Sequence, residues 1–149
     1  MIKKILASFL FIFLTMSCGF SPIYVEKNNY NFSITTSKFT GDYELNNFLK
    51  NNLKKYRNKK SENEIFISIN SEYEKIILTK NSKGEVTNYE LFAKAIFTLE
   101  KKGKKIEIIE KKIIKTMDDK FEQARYERTV KQNFASSISN KLLSELITN

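Results

Sequence analysis

The chain has 149 residues, which suits one domain rather than two. With no histidine and one cysteine, Cys18, it has no internal disulfide, no zinc site of the usual nitrogen and sulfur ligands, and no Ser–His or Cys–His nucleophile. Its 26 Lys and Arg outnumber 17 Asp and Glu for a formal charge of +9, which favours polyanions, although an AT-rich genome also yields many lysines.

The four glycines are scattered, so there is no phosphate-cradling loop. The carboxylates stand mainly among lysines, as solvated charges do. No enzyme, catalytic residue, metal site or cofactor is expected.

Lys3 and Lys4 precede an apolar run from Ile5 to Leu14. The run is too short for a bilayer core, which takes about 20 residues. A charged start, a short apolar stretch and then small residues describe a secretory signal peptide, the alternative being an uncleaved anchor helix. A lone cysteine in an exported chain is an odd thiol, an intermolecular partner or a modified residue. Its position favours the last. Bacterial lipoproteins are cut just before a cysteine that follows small residues, and that cysteine is acylated. Ser17 and Gly19 flank Cys18 as required, while Thr15 stands where Leu is usual and Leu14 comes one place early.

Residues 1–17 are therefore expected to be a signal peptide, and 18–149 one domain anchored by acyl and diacylglycerol groups on Cys18. More than one acyl chain gives stable anchoring, at about 0.8 kcal/mol per buried methylene. Gly19 rather than Asp after the cysteine points to the outer membrane, on its periplasmic side. Export removes nucleic acid as a partner.

After Pro22, the chain's only proline, Phe32, Ile34 and Thr36 alternate as a first strand. From Asp42 the period changes: Leu45, Phe48, Leu49, Leu53 and Tyr56 share one helical stripe, with Thr40 or Asp42 as cap. Ile65, Ile67 and Ile69 begin a second strand that can run on through Tyr73 to Leu78. Asn81, Ser82 and Gly84 suit a turn. Tyr89, Leu91, Ala93, Ala95, Phe97 and Leu99 keep a strict period of two, and Gly103 marks the next turn.

In the fourth strand Ile106 and Ile108 lose phase with Ile113 and Ile114, predicting a bulge or an edge. A last helix, capped by Asp118 or Asp119, is expected to bury Phe121, Ala124, Phe134, Ala135, Ile138, Leu142 and Leu146. Strands three and four, each of about 12 residues, would span roughly 40 Å. The fold class is α+β, in the order β-α-β-β-β-α, with two helices on one face of a four-stranded, mainly antiparallel sheet.

What the chain offers is surface. Lys80 and Lys83 flank one turn, and Lys101, Lys102, Lys104 and Lys105 crowd around Gly103. Such turns can clamp phosphate groups, or simply aid solubility and block strand pairing. Arg125, Tyr126 and Arg128 begin the last helix, either as a solvated face or as a docking face for another protein.

The stretch "CGFSPIY", Cys18 to Tyr24, resembles the mature start of the lipopolysaccharide-assembly lipoproteins, the LptE (RlpB) family. The order of "LNNFLKNNL", "TKNSKG", "YELFAKAIFTL" and "EQARYERTV" follows the same family, with Ile23 a minor departure. The resemblance implies two helices on a four-stranded sheet, and a lipoprotein that sits in the lumen of the LptD-type outer-membrane β-barrel. It would plug that barrel, assist its assembly and bind lipopolysaccharide. The family's basic contacts would fall on Lys80, with Lys83 close by, and on Lys120. The alternative is an envelope scaffold or peptidoglycan-associated lipoprotein with no lipopolysaccharide role.

Overall fold

The computed structural model describes residues 32–57, 61 and 63–148; the expectations for Cys18 and the rest of residues 1–31 lie outside them. The elements are β1 (Phe32–Gly41), α1 (Tyr43–Lys54), β2 (Asn63–Lys80), β3 (Val86–Leu99), β4 (Lys105–Lys115) and α2 (Lys120–Thr148). They form one sheet in the order β1-β2-β3-β4, covered on one face by both helices. This is the expected α+β architecture. β1 and β2 run parallel, with α1 as their crossover, and the other two pairs are antiparallel.

Two residues fix how β1 hands over to α1. Gly41 has φ +94°, and a Cβ there would stand 1.7 Å from the Ser71 carbonyl oxygen, so only glycine fits. Asp42 is the helix cap, its Oδ1 accepting from the Leu45 amide at 2.7 Å; the other candidate, Thr40, lies in β1. The Asp42 amide donates to the Ser71 carbonyl at 3.1 Å, and the Ser71 hydroxyl donates back to the Asp42 carbonyl at 3.2 Å.

β1 therefore pairs with β2 only as far as Ser71. Beyond that point β2 runs on to Lys80 beside β3 alone. The near half of the domain has four strands and two helices. The far half has three strands and the start of α2. At 18 residues β2 is the longest strand, about 60 Å of chain. β3 has 14 residues and β4 only 11.

The core follows the two-residue period of β3, whose Leu91, Ala93, Ala95, Phe97 and Leu99 are all buried. Register sets Ile67 and Ile69 of β2 and Ile106 and Ile108 of β4 on the same face. The helices close it with Leu45, Leu49 and Leu53 from α1 and Val130, Phe134, Ile138 and Leu142 from α2. Burying each large side chain stabilises the fold by about 1.5–3 kcal/mol.

The phase break in β4 is not a bulge, because its register with β3 is unbroken; β4 is an edge strand. Glu110 and Lys112 occupy core-face positions between Ile108 and Ile114, and α2 answers both. Glu110 accepts from the Ser137 hydroxyl at 2.6 Å and pairs with Lys141 at 2.7 Å, while the Lys112 ammonium lies 5.5 Å from the Tyr126 ring centroid.

The start of α2 differs from expectation: Phe121 and Ala124 are exposed, Phe121 by 75 %. The buried stripe passes instead through Gln123 and Val130, and Phe121 and Ala124 lie off it. Among the described residues no helix is long and apolar enough to cross a membrane.

Candidate functional site: the far end of the sheet

Three elements meet at the far end: the β2–β3 turn, the end of β4 and the first turn of α2. The turn is built on Asn81. Its side-chain oxygen accepts from the amides of Lys83 at 2.9 Å and Glu85 at 3.0 Å, and Gly84 supplies φ +83°. The Thr116 hydroxyl donates to the Val86 carbonyl at 2.8 Å, fastening the exit of β4 to β3. Asp119 caps α2, its Oδ1 accepting from Phe121 at 2.7 Å and Glu122 at 3.2 Å. The Met117 amide donates to the Gln123 side chain at 2.7 Å, closing the connection.

This arrangement carries the sequence-predicted lysines to one end. Lys80 pairs with Val86, Lys83 sits in the turn, and Lys120 opens α2 just beyond Thr116. Lys115, opposite Asn88, joins them. Among the described residues none of the four has a carboxylate within ion-pair distance. Lys120 also stands at the positive end of a helix, an unfavourable place for a cation.

Sequence reading missed what surrounds them. Ile76, Ile77 and Leu78 of β2, Ile113 of β4, and Met117 and Phe121 beside α2 are all exposed, Ile77 by 51 %. Ile76 and Ile113 flank Glu90 on the open face, and Ile77 lies opposite Tyr89 on the helix face. A signal was present: three successive apolar residues, Ile76 to Leu78, in a strand cannot all be buried on a half-covered sheet. The end is thus cationic and apolar at once, and can hold an amphiphile with phosphate groups.

Behind it lies a polar brace. Lys75 pairs with Glu127 at 2.5 Å and stands 4.0 Å from the Tyr89 ring centroid. Lys131 stands 3.9 Å from the Tyr73 centroid and pairs with Asp42 at 3.4 Å and Glu44 at 3.1 Å. Burial pushes the Tyr73 phenol up to about 12, helped by the negative charges of Glu127, Asp42 and Glu44.

Of the three residues read as a docking face, Arg125 and Arg128 stay exposed. Tyr126 packs against the core, Arg128 pairs with Glu44 at 2.9 Å, and Arg125 faces outward with Glu122 at 3.7 Å.

No protein-family model matches the chain, and no curated protein matches its sequence. Solved structures do. Rare lipoprotein B from Shewanella oneidensis is similar over 78 % of this chain and 93 % of its own, at 15 % identity and a TM-score of 0.55. Lipoprotein B from Nitrosomonas europaea is similar over 76 % and 83 %, at 17 % identity and a TM-score of 0.51. The fold read from hydrophobic periodicity, and implied by the resemblance of Cys18 to Tyr24, is the fold these lipoproteins share.

Proposed function

We propose that the chain is a lipopolysaccharide-assembly lipoprotein of the rare lipoprotein B (LptE) kind. It is acylated on Cys18 and held at the periplasmic side of the outer membrane. It plugs and helps assemble an LptD-type β-barrel and binds lipopolysaccharide in transit. The work is binding rather than catalysis.

The observation that carries this reading is the far end of the sheet. Lys80, Lys83 and Lys120 lie at that end, as do exposed Ile77, Leu78 and Phe121, and lipid A likewise combines phosphates with acyl chains. The net charge, +9 for the whole chain and +7 without Lys3 and Lys4, and the shared lipoprotein fold support it.

The test is purification of a tagged copy from its own outer membrane in mild detergent, with mass spectrometry of what accompanies it. A stoichiometric barrel protein and an acylated Cys18 peptide are expected. An acylated protein recovered with cell-wall proteins and no barrel would replace this reading with the scaffold.

A further inference from the structure

The opposite, near end carries a second cationic site that the proposed function does not use. β3 and β4 are joined by a tight turn in which the Leu99 amide donates to the Lys104 carbonyl at 2.8 Å and Gly103 supplies φ +63°. The turn splays Lys101, Lys102 and Lys104 outward, and Lys105 follows at the start of β4. Among the described residues none of these four has an ion-pair partner. By contrast, Lys75, Lys94, Lys111, Lys131 and Lys141 are each paired with a carboxylate.

Lys101, Lys102 and Lys104 rim a cleft of about 440 Å³ whose apolar lining includes Phe66, Leu99, Ile106 and Leu146. Lys101 lies 5.6 Å from the Phe66 ring centroid, and Ile147 is 58 % exposed on the last turn of α2. Two carboxylates, Glu64 and Glu145, also line the cleft, and Glu64 already accepts from the Thr35 hydroxyl at 2.6 Å.

Position identifies the occupant. Phe32, where β1 begins, pairs with Asn63 at this same end, and the Glu100 amide donates to the Phe66 carbonyl at 3.0 Å. Fourteen peptide steps separate Cys18 from Phe32, at most about 50 Å of chain. A lipid on Cys18 would thus tether the basic turn within reach of the leaflet that holds it.

We infer that the Lys101–Lys105 turn and its cleft dock on the anionic phospholipid surface of that leaflet. The ammonium groups meet phosphate headgroups, and the apolar lining receives the upper part of a lipid. The choice of leaflet rests on the acylation proposed above; the affinity of the turn does not.

The test uses the chain from residue 18 onward with Cys18→Ser, which keeps every described element and cannot be acylated. Its flotation is measured with phosphatidylcholine vesicles, with and without phosphatidylglycerol. It should bind only the anionic vesicles and be released by salt. Lys101→Gln, Lys102→Gln and Lys104→Gln together should weaken binding about 100-fold, at roughly fivefold per lysine. The matched set Lys80→Gln, Lys83→Gln and Lys120→Gln should leave it within about twofold. No binding by the parent chain, or a larger loss in the far-end set, overturns the inference. Acylation is read separately from the mass of the native Cys18 peptide, so either proposal can fail without the other.

Discussion

The Lys131 ammonium and the Asp42 carboxylate, 3.4 Å apart, join the last helix to the cap of the first across 89 positions of chain. Lys131 is only 11 % exposed, and Asp42 and Glu44 balance its charge. Asp42 serves twice, as counter-ion and as acceptor for the Leu45 amide. Asp42→Ala should cost about 2–3 kcal/mol, combining a lost cap with a poorly compensated buried cation. Asp42→Asn keeps the cap and should cost about 1 kcal/mol. Urea denaturation of the two variants separates the roles. Equal losses would mean that the cap contributes nothing, and no loss in Asp42→Asn would mean that Glu44 alone holds the ammonium.

Tyr73 predicts a response to alkali. Its hydroxyl is buried without a hydrogen-bond partner, and its pKa stands at about 12 rather than the usual 10. Between those values the folded chain keeps a proton that the unfolded chain loses. The contribution of Tyr73 is therefore whole below pH 10 and is lost as pH rises through about 12. The loss should be about 1–2 kcal/mol for a half-buried phenol. Tyr73→Phe should match or slightly exceed the parent in thermal stability at pH 8, and show a smaller fall between pH 8 and pH 11.

Gly41→Ala should be among the most damaging single changes, costing on the order of 3 kcal/mol or more. The methyl group would stand 1.7 Å from a carbonyl oxygen at a φ of +94°. Gly84→Ala, also at positive φ but in open space, should cost only about 1 kcal/mol. Similar midpoints for the two in denaturant would remove the close approach to Ser71 as the cause.

Glu110 is an inward charge on an edge strand, a placement that discourages edge-to-edge pairing. Glu110→Val should leave monomer stability within about 1 kcal/mol, since Lys141 is 56 % exposed and returns to water when its partner is lost. It should also promote self-association through β4, visible as a concentration-dependent sedimentation coefficient. A variant that stays monomeric would show that the inward charge does not guard this edge.

At the far end, exposure separates stability from function. Phe121→Ser should change stability by less than about 0.5 kcal/mol, because the ring is 75 % exposed. Its retention of lipopolysaccharide, measured by surface plasmon resonance, should nevertheless fall. If binding is unchanged, the apolar half of the proposed site is wrong and the lysines stand alone.

Most of the fold was legible in the chain because each strand and helix shows its buried side at short range. Ile67, Leu91, Phe97 and Leu142 lie in patterns that a window of ten residues reveals. Phe121 departs from the expected apolar stripe because the inward side of α2 there is polar, through buried Gln123 and half-buried Tyr126 and Glu127. The β4 phase break left a bulge or an edge open, and the structure decides for the edge, because inward Glu110 finds its Ser137 partner 27 positions away, on α2.

From the sequence alone follow the element order, the α+β class and most of the core, since these depend on local periodicity and side-chain type. The acyl site at Cys18 is also a sequence reading. Only the tertiary structure decided which strand is longest, where β1 stops, and which lysines share an end. Those outcomes rest on non-local register and on one close backbone contact between Gly41 and Ser71. That contact ends β1 early, leaves the far half of β2 uncovered, and separates two cationic ends that look alike in the sequence.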